Sequence, residues 1–172
     1  MKDESFSKPI VSEINSQINE NAAILQKVSL PNTINEVEVY LKREDLIHPQ
    51  ISGNKWRKLK YNLQFAKDNS YDTLLTFGGA YSNHIHATAS AGKIFSFKTI
   101  GIIRGEEHLP LNNTLSDAKI DGMEIFYVDR STYRNKHSEK FIDDLKTKFG
   151  NFYLIPEDRI INSLDHLINF FL

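Results

Sequence analysis

One lysine of this chain lies where unusual chemistry is favoured. Residues 52–61 read Ser-Gly-Asn-Lys-Trp-Arg-Lys-Leu-Lys-Tyr, and Lys55 follows a turn that is predicted to open a helix. The first turn of a helix carries partial positive charge, so a cation is poorly placed there. Such a dipole and neighbouring cations lower the pKa of a lysine and make its neutral amine more available. The pattern therefore favours a lysine that can form a Schiff base.

A second string, residues 77–93, places two glycines between a predicted strand and a predicted helix. Gly78 and Gly79 permit the positive φ and close backbone approach that such a turn needs, and Ser82 and Asn83 follow at the helix N-terminus. Exposed N–H groups and the helix dipole there can hold a carboxylate or phosphate at the carboxyl end of a parallel strand. The alternative is an ordinary turn capped by Ser82. The residues alone leave both interpretations open.

The neighbouring residues exclude some other sites. The chain has neither a Walker P-loop nor the Gly-x-Gly-x-x-Gly dinucleotide motif. His84 and His86 are two residues apart and point to different helix faces, whereas a helical zinc pair needs a spacing of four. We expect no metal, with one histidine facing the cleft and the other packing or meeting solvent. Tyr81 lies within the turn, where it either lines a pocket or is a partly exposed aromatic residue.

The elements that must position these residues alternate along the chain. Hydrophobic periodicity predicts helices over residues 13–28, 54–67, 82–93, 113–121 and 138–149, and strands over residues 37–42, 73–77, 97–103, 123–128 and 152–155. Strand–helix–strand spacing of this length predicts an α/β fold, with a parallel sheet and helices on both of its faces.

Composition narrows the classes of partner. The chain has 172 residues, 40% of them hydrophobic and 25% charged, with a net charge of −1 and no cysteine. Near-neutral charge gives no global attraction to nucleic acid or to anionic membranes. We find no secretory signal and no apolar run near the roughly 20 residues that span a bilayer. We therefore expect a cytoplasmic globular protein that binds neither nucleic acid nor membrane.

Three strings together resemble one enzyme family. They are Leu-Lys-Arg-Glu-Asp-Leu at residues 41–46, Ser-Gly-Asn-Lys-Trp-Arg-Lys-Leu at residues 52–59 and Gly-Gly-Ala-Tyr-Ser-Asn-His at residues 78–84. In this order and spacing they are similar to the 1-aminocyclopropane-1-carboxylate deaminase and D-cysteine desulfhydrase family. The resemblance covers residues 36–157. It implies a tryptophan synthase β-like fold, pyridoxal phosphate as cofactor, and a small amino acid that is converted to a 2-oxo acid and ammonia.

The resemblance also implies roles for single residues. Lys55 would bind the cofactor covalently, and Asn54 would shape the turn before it. Asn83 would hydrogen-bond the hydroxyl group of the pyridoxal ring. Ser82 would contact the substrate carboxylate and act as nucleophile or proton relay. We add Gly79, Tyr81 and His84, which belong to the same turn, as substrate-binding residues.

The chain departs from this family after Glu157. Relatives are about twice as long, and a glycine pair commonly follows that glutamate, whereas this chain continues Asp-Arg-Ile-Ile-Asn. We predict three parts: residues 1–53 as the N-terminal segment of a larger domain, residues 54–157 as a small α/β domain, and residues 158–172 as a divergent tail with a helical stripe. The chain then lacks the loop that grips the cofactor phosphate, and we expect weak cofactor binding and low activity.

Two other functions remain open from the sequence. The first is a non-catalytic, truncated remnant that binds an anionic metabolite or a partner chain through residues 78–83. For the enzyme and for this remnant alike, the expected protein partner of this chain is a second copy in a homo-oligomer or a complementing C-terminal fragment. The second is a generic nucleotide binder, which rests on the strand–helix alternation alone and leaves Lys55 without a purpose.

Overall fold

The computed structural model describes residues 17–29 and 37–156, and its elements alternate as the periodicity predicts. The strands within these ranges are β1 Leu25–Val28, β2 Val39–Lys42, β3 Thr73–Gly79, β4 Lys98–Arg104, β5 Met123–Val128 and β6 Tyr153–Ile155. The α-helices are α1 Asn54–Asp68, α2 Asn83–Phe95, α3 Asn113–Ile120, α4 Arg130–Arg134 and α5 Glu139–Phe149. Short 3₁₀ turns cover Glu20–Ala22 and Glu44–Leu46.

The main sheet has four parallel strands in the order β5-β4-β3-β6. Strand β3 is central: Thr73 pairs with Lys98 and Gly79 with Arg104 on one side, while Leu74 pairs with Tyr153 on the other. All but the last residue of β3 are buried. Such a strand, covered on both faces, is typical of parallel sheets in α/β proteins.

Helices cover both faces of this sheet, as the sequence predicts. On one face, apolar residues of α1, α2 and α3 pack on strand residues that include Leu74 and Ile103. On the other face, α4 and α5 pack on alternate strand residues that include Leu75 and Ile102. The two packed faces follow the period of two in β3, whose successive side chains point to opposite faces of the sheet. The fold is therefore an α/β sandwich of three layers.

The glycine pair ends β3 because α2 comes too close for a side chain. A Cβ atom placed on Gly78 would lie 2.4 Å from Cγ1 of Ile85, whereas one placed on Gly79 would meet nothing nearer than 3.9 Å. Neither glycine has a positive φ. The expected need for positive φ is therefore wrong here, and close packing is the reason for glycine at position 78.

The predicted helix over residues 13–28 is wrong in its described part. Residues Glu20–Ala22 form a 3₁₀ turn, and Leu25–Val28 form β1, which pairs antiparallel with β2. Asn19 and Asn21 are weak helix formers, and the ladder with β2 satisfies the backbone groups that a helix would otherwise pair. The strand predicted over residues 37–42 therefore belongs to a separate two-stranded sheet, outside the parallel one. The tail over residues 158–172, with its helical stripe, lies outside the described residues.

None of the helices in the described ranges has both the length and the apolar character needed to cross a lipid bilayer.

The close contact at Gly78 makes a stability prediction. Gly78→Ala should lower the free energy of unfolding by about 1–3 kcal/mol, because overpacking forces Ile85 or the backbone to move. Gly79→Ala is the matched control, since its new methyl group meets only the end of an arginine side chain. Urea unfolding followed by circular dichroism would measure both. Equal stability of the two variants would contradict the packing argument.

Candidate functional site

The order of the strands marks one edge of the sheet as the place for a ligand. The chain builds outward from β3 through β4 to β5 and then returns to β6 on the opposite side of β3. The direction of winding therefore reverses between β3 and β6. In open α/β sheets, ligands bind outside the carboxyl ends of the strands at such a switch point. The turn over residues 79–83 leaves the carboxyl end of β3 at this point.

Ser82 caps helix α2 at this turn. Its hydroxyl oxygen accepts hydrogen bonds from the backbone N–H groups of His84 at 3.2 Å and Ile85 at 3.4 Å. Its own N–H donates to the carbonyl of Gly79 at 3.0 Å. The capping interpretation of Ser82 is thus confirmed. Its oxygen is occupied by the helix, while its O–H hydrogen can still be donated to a ligand.

Two N–H groups of the turn are left for an anion. The backbone N–H groups of Tyr81 and Asn83 have no acceptor among the described residues. The side chain of Asn83 is exposed, and that of Tyr81 is 79% exposed. The partly exposed form of Tyr81 is therefore the one observed. The Ser82 cap satisfies the N–H groups of residues 84 and 85 and leaves two others open, so anion binding at this turn stays a prediction that the cap does not oppose.

The two histidines of α2 differ in burial. The ring of His84 is only 2% exposed and packs in the interior, whereas His86 is half-buried, with Nε2 3.8 Å from Oδ2 of Asp117. One histidine packs, as expected, and the other faces α3. The substrate contact predicted for His84 stays a prediction, and it would require a ligand to reach a buried ring.

Asn112 holds the glycine turn through a hydrogen bond that no sequence motif predicts. Its Oδ1 accepts a hydrogen bond from the N–H of Leu115 and caps α3, while its Nδ2 donates to the carbonyl of Ala80 at 3.0 Å. One side chain therefore ties the start of α3 to the glycine turn. The Asn-Asn-Thr sequence at residues 112–114 is a signal for a cap, but no local pattern indicates the bond to a residue 32 positions earlier.

Lys55 lies in the first turn of α1, as predicted. This helix starts after Gly53, whose φ of 61° and ψ of −142° suit glycine, and it has neither a side-chain cap nor an acidic residue in its first turn. Lys55 is half-buried and Asn54, the first helical residue, is exposed. No acidic side chain of the first turn therefore offsets the positive end of the helix dipole beside Lys55.

Two carboxylates from the N-terminal segment pair with Arg57 and Lys60, two other cations of α1. Glu20 accepts hydrogen bonds from Lys60 at 2.6 Å, from the Trp56 indole at 3.0 Å and from Arg57 at 3.0 Å. Glu44 pairs with Arg57 at 2.9 Å. Lys60 is therefore paired with a carboxylate of the N-terminal segment. Partial burial raises the pKa of Glu20, but the bonds from Lys60 and Trp56 outweigh it and hold that pKa below its usual value.

Helices α1 and α2 form one packed pair on the sheet. The fully buried ring of Trp56 stacks on Phe95 in the last turn of α2, with centroids 6.3 Å apart. Asn83 begins the other end of α2, which is about 18 Å away at 1.5 Å per residue. The structure therefore fixes the helix that carries Lys55 against the helix that follows the turn. The approach of the Lys55 amine to Ser82 and Asn83 stays a prediction.

The cap at Ser82 can be separated from any chemical role by substitution. Ser82→Ala should lower the free energy of unfolding by about 1 kcal/mol, because two helix N–H groups lose their acceptor. Ser82→Asn should recover most of that loss, since asparagine caps as well. The control Ser116→Ala, inside α3, should show no loss because alanine favours helix. Thermal unfolding would measure all three, and an unchanged midpoint for Ser82→Ala would contradict the cap.

The tie at Glu44 predicts a dependence of stability on pH. Hydrogen bonds from Arg57 and Lys42 lower the pKa of Glu44 from 4.5 to about 2. A carboxyl group with a lowered pKa stabilises the fold fully above its unfolded pKa and loses that contribution as pH falls toward the folded value. The urea midpoint should therefore fall between pH 5 and pH 2 more steeply in the wild type than in Glu44→Gln. Glu124→Gln, at an exposed position of β5, is the control and should keep the wild-type slope.

Comparison with known proteins places these residues in a family. No family model matches the chain. A Pyrococcus abyssi protein, provisionally named 1-aminocyclopropane-1-carboxylate deaminase, is 39% identical over 122 residues, which are 70% of this chain and 36% of that protein. The bifunctional mitochondrial D-cysteine desulfhydrase/1-aminocyclopropane-1-carboxylate deaminase of Arabidopsis thaliana is 31% identical over 129 residues, 72% of this chain and 32% of that protein.

Two solved structures agree with these relatives. A crystal structure of an ACC deaminase homologue aligns with a TM-score of 0.59 and 32% identity, and covers 88% of this chain and 48% of that one. A hydrogen sulfide-producing enzyme from Fusobacterium nucleatum aligns with a TM-score of 0.58 over 87% of this chain and 46% of that one. At 17% identity the second likeness shows the fold alone.

The chain spans between 32% and 40% of the length of the curated relatives with which it shares most of its residues. The matched region is a large part of this chain, and its α/β architecture agrees with that of the ACC deaminase homologue. Over about 70% of its length, the chain is thus homologous to the family of 1-aminocyclopropane-1-carboxylate deaminases and D-cysteine desulfhydrases.

Proposed function

We propose that this chain carries the cofactor-linking lysine and the substrate-binding turn of a pyridoxal-phosphate-dependent deaminase or desulfhydrase. Its substrate would be a small amino acid, 1-aminocyclopropane-1-carboxylate or D-cysteine, and its products a 2-oxo acid and ammonia. One observation carries the proposal: Lys55 is a half-buried amine in the first turn of a helix, and that turn has no acidic residue and no side-chain cap to offset the dipole.

The donor groups of this chain fit one end of pyridoxal phosphate. An aldehyde needs a primary amine, which Lys55 supplies, and a ring hydroxyl needs a hydrogen-bond partner, which the exposed amide of Asn83 supplies. The open N–H groups of Tyr81 and Asn83 suit an anionic oxygen. After Gly105 the sequence contains only two isolated glycines, Gly122 and Gly150, and no second glycine-rich loop. We therefore propose that this chain by itself holds the cofactor weakly.

Each residue would then have a distinct task. The cofactor supplies an electron sink when it is bound. Lys55 would hold it and, once the substrate amine has released its Nζ, would move a proton at Nζ as a general base. Ser82 would donate its O–H hydrogen to the substrate carboxylate while its oxygen keeps the helix cap. Asn54, exposed at the start of α1, would keep the turn open beside the lysine.

A second candidate is a protein that binds an anionic metabolite without catalysis. The two open N–H groups of the turn favour it, because they need only a carboxylate or phosphate and no lysine. The two functions differ in a single covalent bond. Only the enzyme requires the amine of Lys55 to react with an aldehyde.

Borohydride trapping tests this difference. The full chain with excess pyridoxal phosphate is reduced with sodium borohydride, which makes a weakly held adduct permanent, and then digested for peptide mapping. We expect a pyridoxyl group on Lys55 in preference to the other lysines, because its amine lies in the first turn of a helix, where the dipole favours the neutral, reactive form. Lys55→Arg should abolish that adduct, whereas the control Lys67→Arg, at the opposite end of α1, should leave it unchanged.

Uniform labelling of exposed lysines, with no preference for position 55, would contradict the enzyme. If the chain also keeps its circular dichroism spectrum and binds phosphate, the metabolite-binding alternative is the better description.

A further inference from the structure

A second cation lies at the same edge of the sheet, beside the glycine turn. Arg104 is the last residue of β4 and pairs in register with Gly79, the last residue of β3. A Cβ atom placed on Gly79 would have Nη2 of Arg104 as its nearest neighbour, at 3.9 Å. The guanidinium group therefore lies over the backbone of Gly79, on the sheet face opposite Ile85.

A buried aromatic ring holds the guanidinium in position. The central carbon of Arg104 lies 5.6 Å from the ring centroid of Tyr133, which is 7% exposed. Tyr133 is itself held edge-on against Phe77, with centroids 6.0 Å apart and planes at 90°. Contact with an aromatic face orients a guanidinium through cation–π attraction and uses none of its N–H donors. The Arg104 donors are therefore positioned before any ligand arrives.

Arg104 differs from the N-terminal arginines in its charged neighbours. Arg43 pairs with Asp45 at 2.7 Å, and Arg57 pairs with Glu44 at 2.9 Å. Within residues 17–29 and 37–156, no carboxylate pairs with Arg104. The ammonium group of Lys136 contacts the same Tyr133 ring, with Nζ 4.4 Å from the ring centroid. A planar fork of donors with no carboxylate partner is suited to bidentate binding of an anion.

We propose that Arg104 binds the anionic group of the ligand at this edge of the sheet, beside the turn that follows Gly79. The anion is a carboxylate or a phosphate. This inference rests on the proposed function only for the source of the anion, which is the substrate in the first case and the cofactor in the second. Arg104 is then a specificity residue, and Tyr133 is the positioning residue that holds it.

Two simple anions test the site without the cofactor. The full chain, labelled with ¹⁵N, is titrated with inorganic phosphate and separately with acetate at constant ionic strength. We expect saturable shifts of the Arg104 Nε–H and Gly79 amide signals. Arg104→Gln should weaken binding by about tenfold, in line with a hydrogen-bonded charge, and Arg104→Lys should weaken it in part because the fork is lost. Arg134→Gln, which removes an exposed charge from α4, is the matched control and should bind as the wild type does.

The outcomes identify the source of the anion and separate a failure of this proposal from a failure of the proposed function. Tighter binding of phosphate assigns the site to the cofactor, and binding of acetate that is as tight or tighter assigns it to the substrate carboxylate. An Arg104→Gln curve that superimposes on the wild type overturns the proposal, and so does an equal loss in Arg134→Gln, which would show a general charge effect. Neither probe contains an aldehyde or an amine. The result is therefore independent of the reaction of Lys55 with pyridoxal phosphate, and either proposal can fail alone.

Discussion

Close packing of Ile85 on the backbone of Gly78 determines where helix α2 begins, and the candidate site depends on that point. Because a side chain at position 78 would collide with Ile85, the helix can turn back over the sheet directly after β3. Ser82 then becomes the N-cap of α2 at the switch point of the sheet. The N–H groups of Tyr81 and Asn83 have no acceptor among the described residues. The two open N–H groups of the turn are thus a consequence of helix–strand packing.

The lysine helix depends on a different interaction, between charges that are distant in sequence. Glu20 and Glu44 bind Arg57 and Lys60, which follow Lys55 on α1. Trp56 anchors the first turn of this helix in the core. These contacts fix the start of the helix while the offsetting charges lie outside its first turn. The local rule that disfavours a cation at a helix N-terminus is therefore broken at position 55 and compensated at its neighbours, as functional sites commonly require.

The parallel sheet and its helices could be predicted because the spacing of their apolar residues matches the faces that are buried in the structure. The cap at Ser82 could be predicted as one of two interpretations, since capping and anion binding use the same residue types. The role of Glu20 could not, because its partners lie 36 to 40 positions away. Likewise β1 forms only because β2 offers it a ladder, and Arg104 is an ordinary strand end until register places it beside Gly79.

The central claim is that the amine of residue 55 and the turn at residues 81–83 share one cleft. The chain has no cysteine, so Lys55→Cys allows a single nitroxide label whose paramagnetic broadening reports distance. We expect the amide signals of Tyr81 and Asn83 to be strongly broadened by a label at position 55 and unaffected by a label at position 67, at the other end of α1. Full-intensity signals from Tyr81 and Asn83 with the label at position 55 would contradict the account.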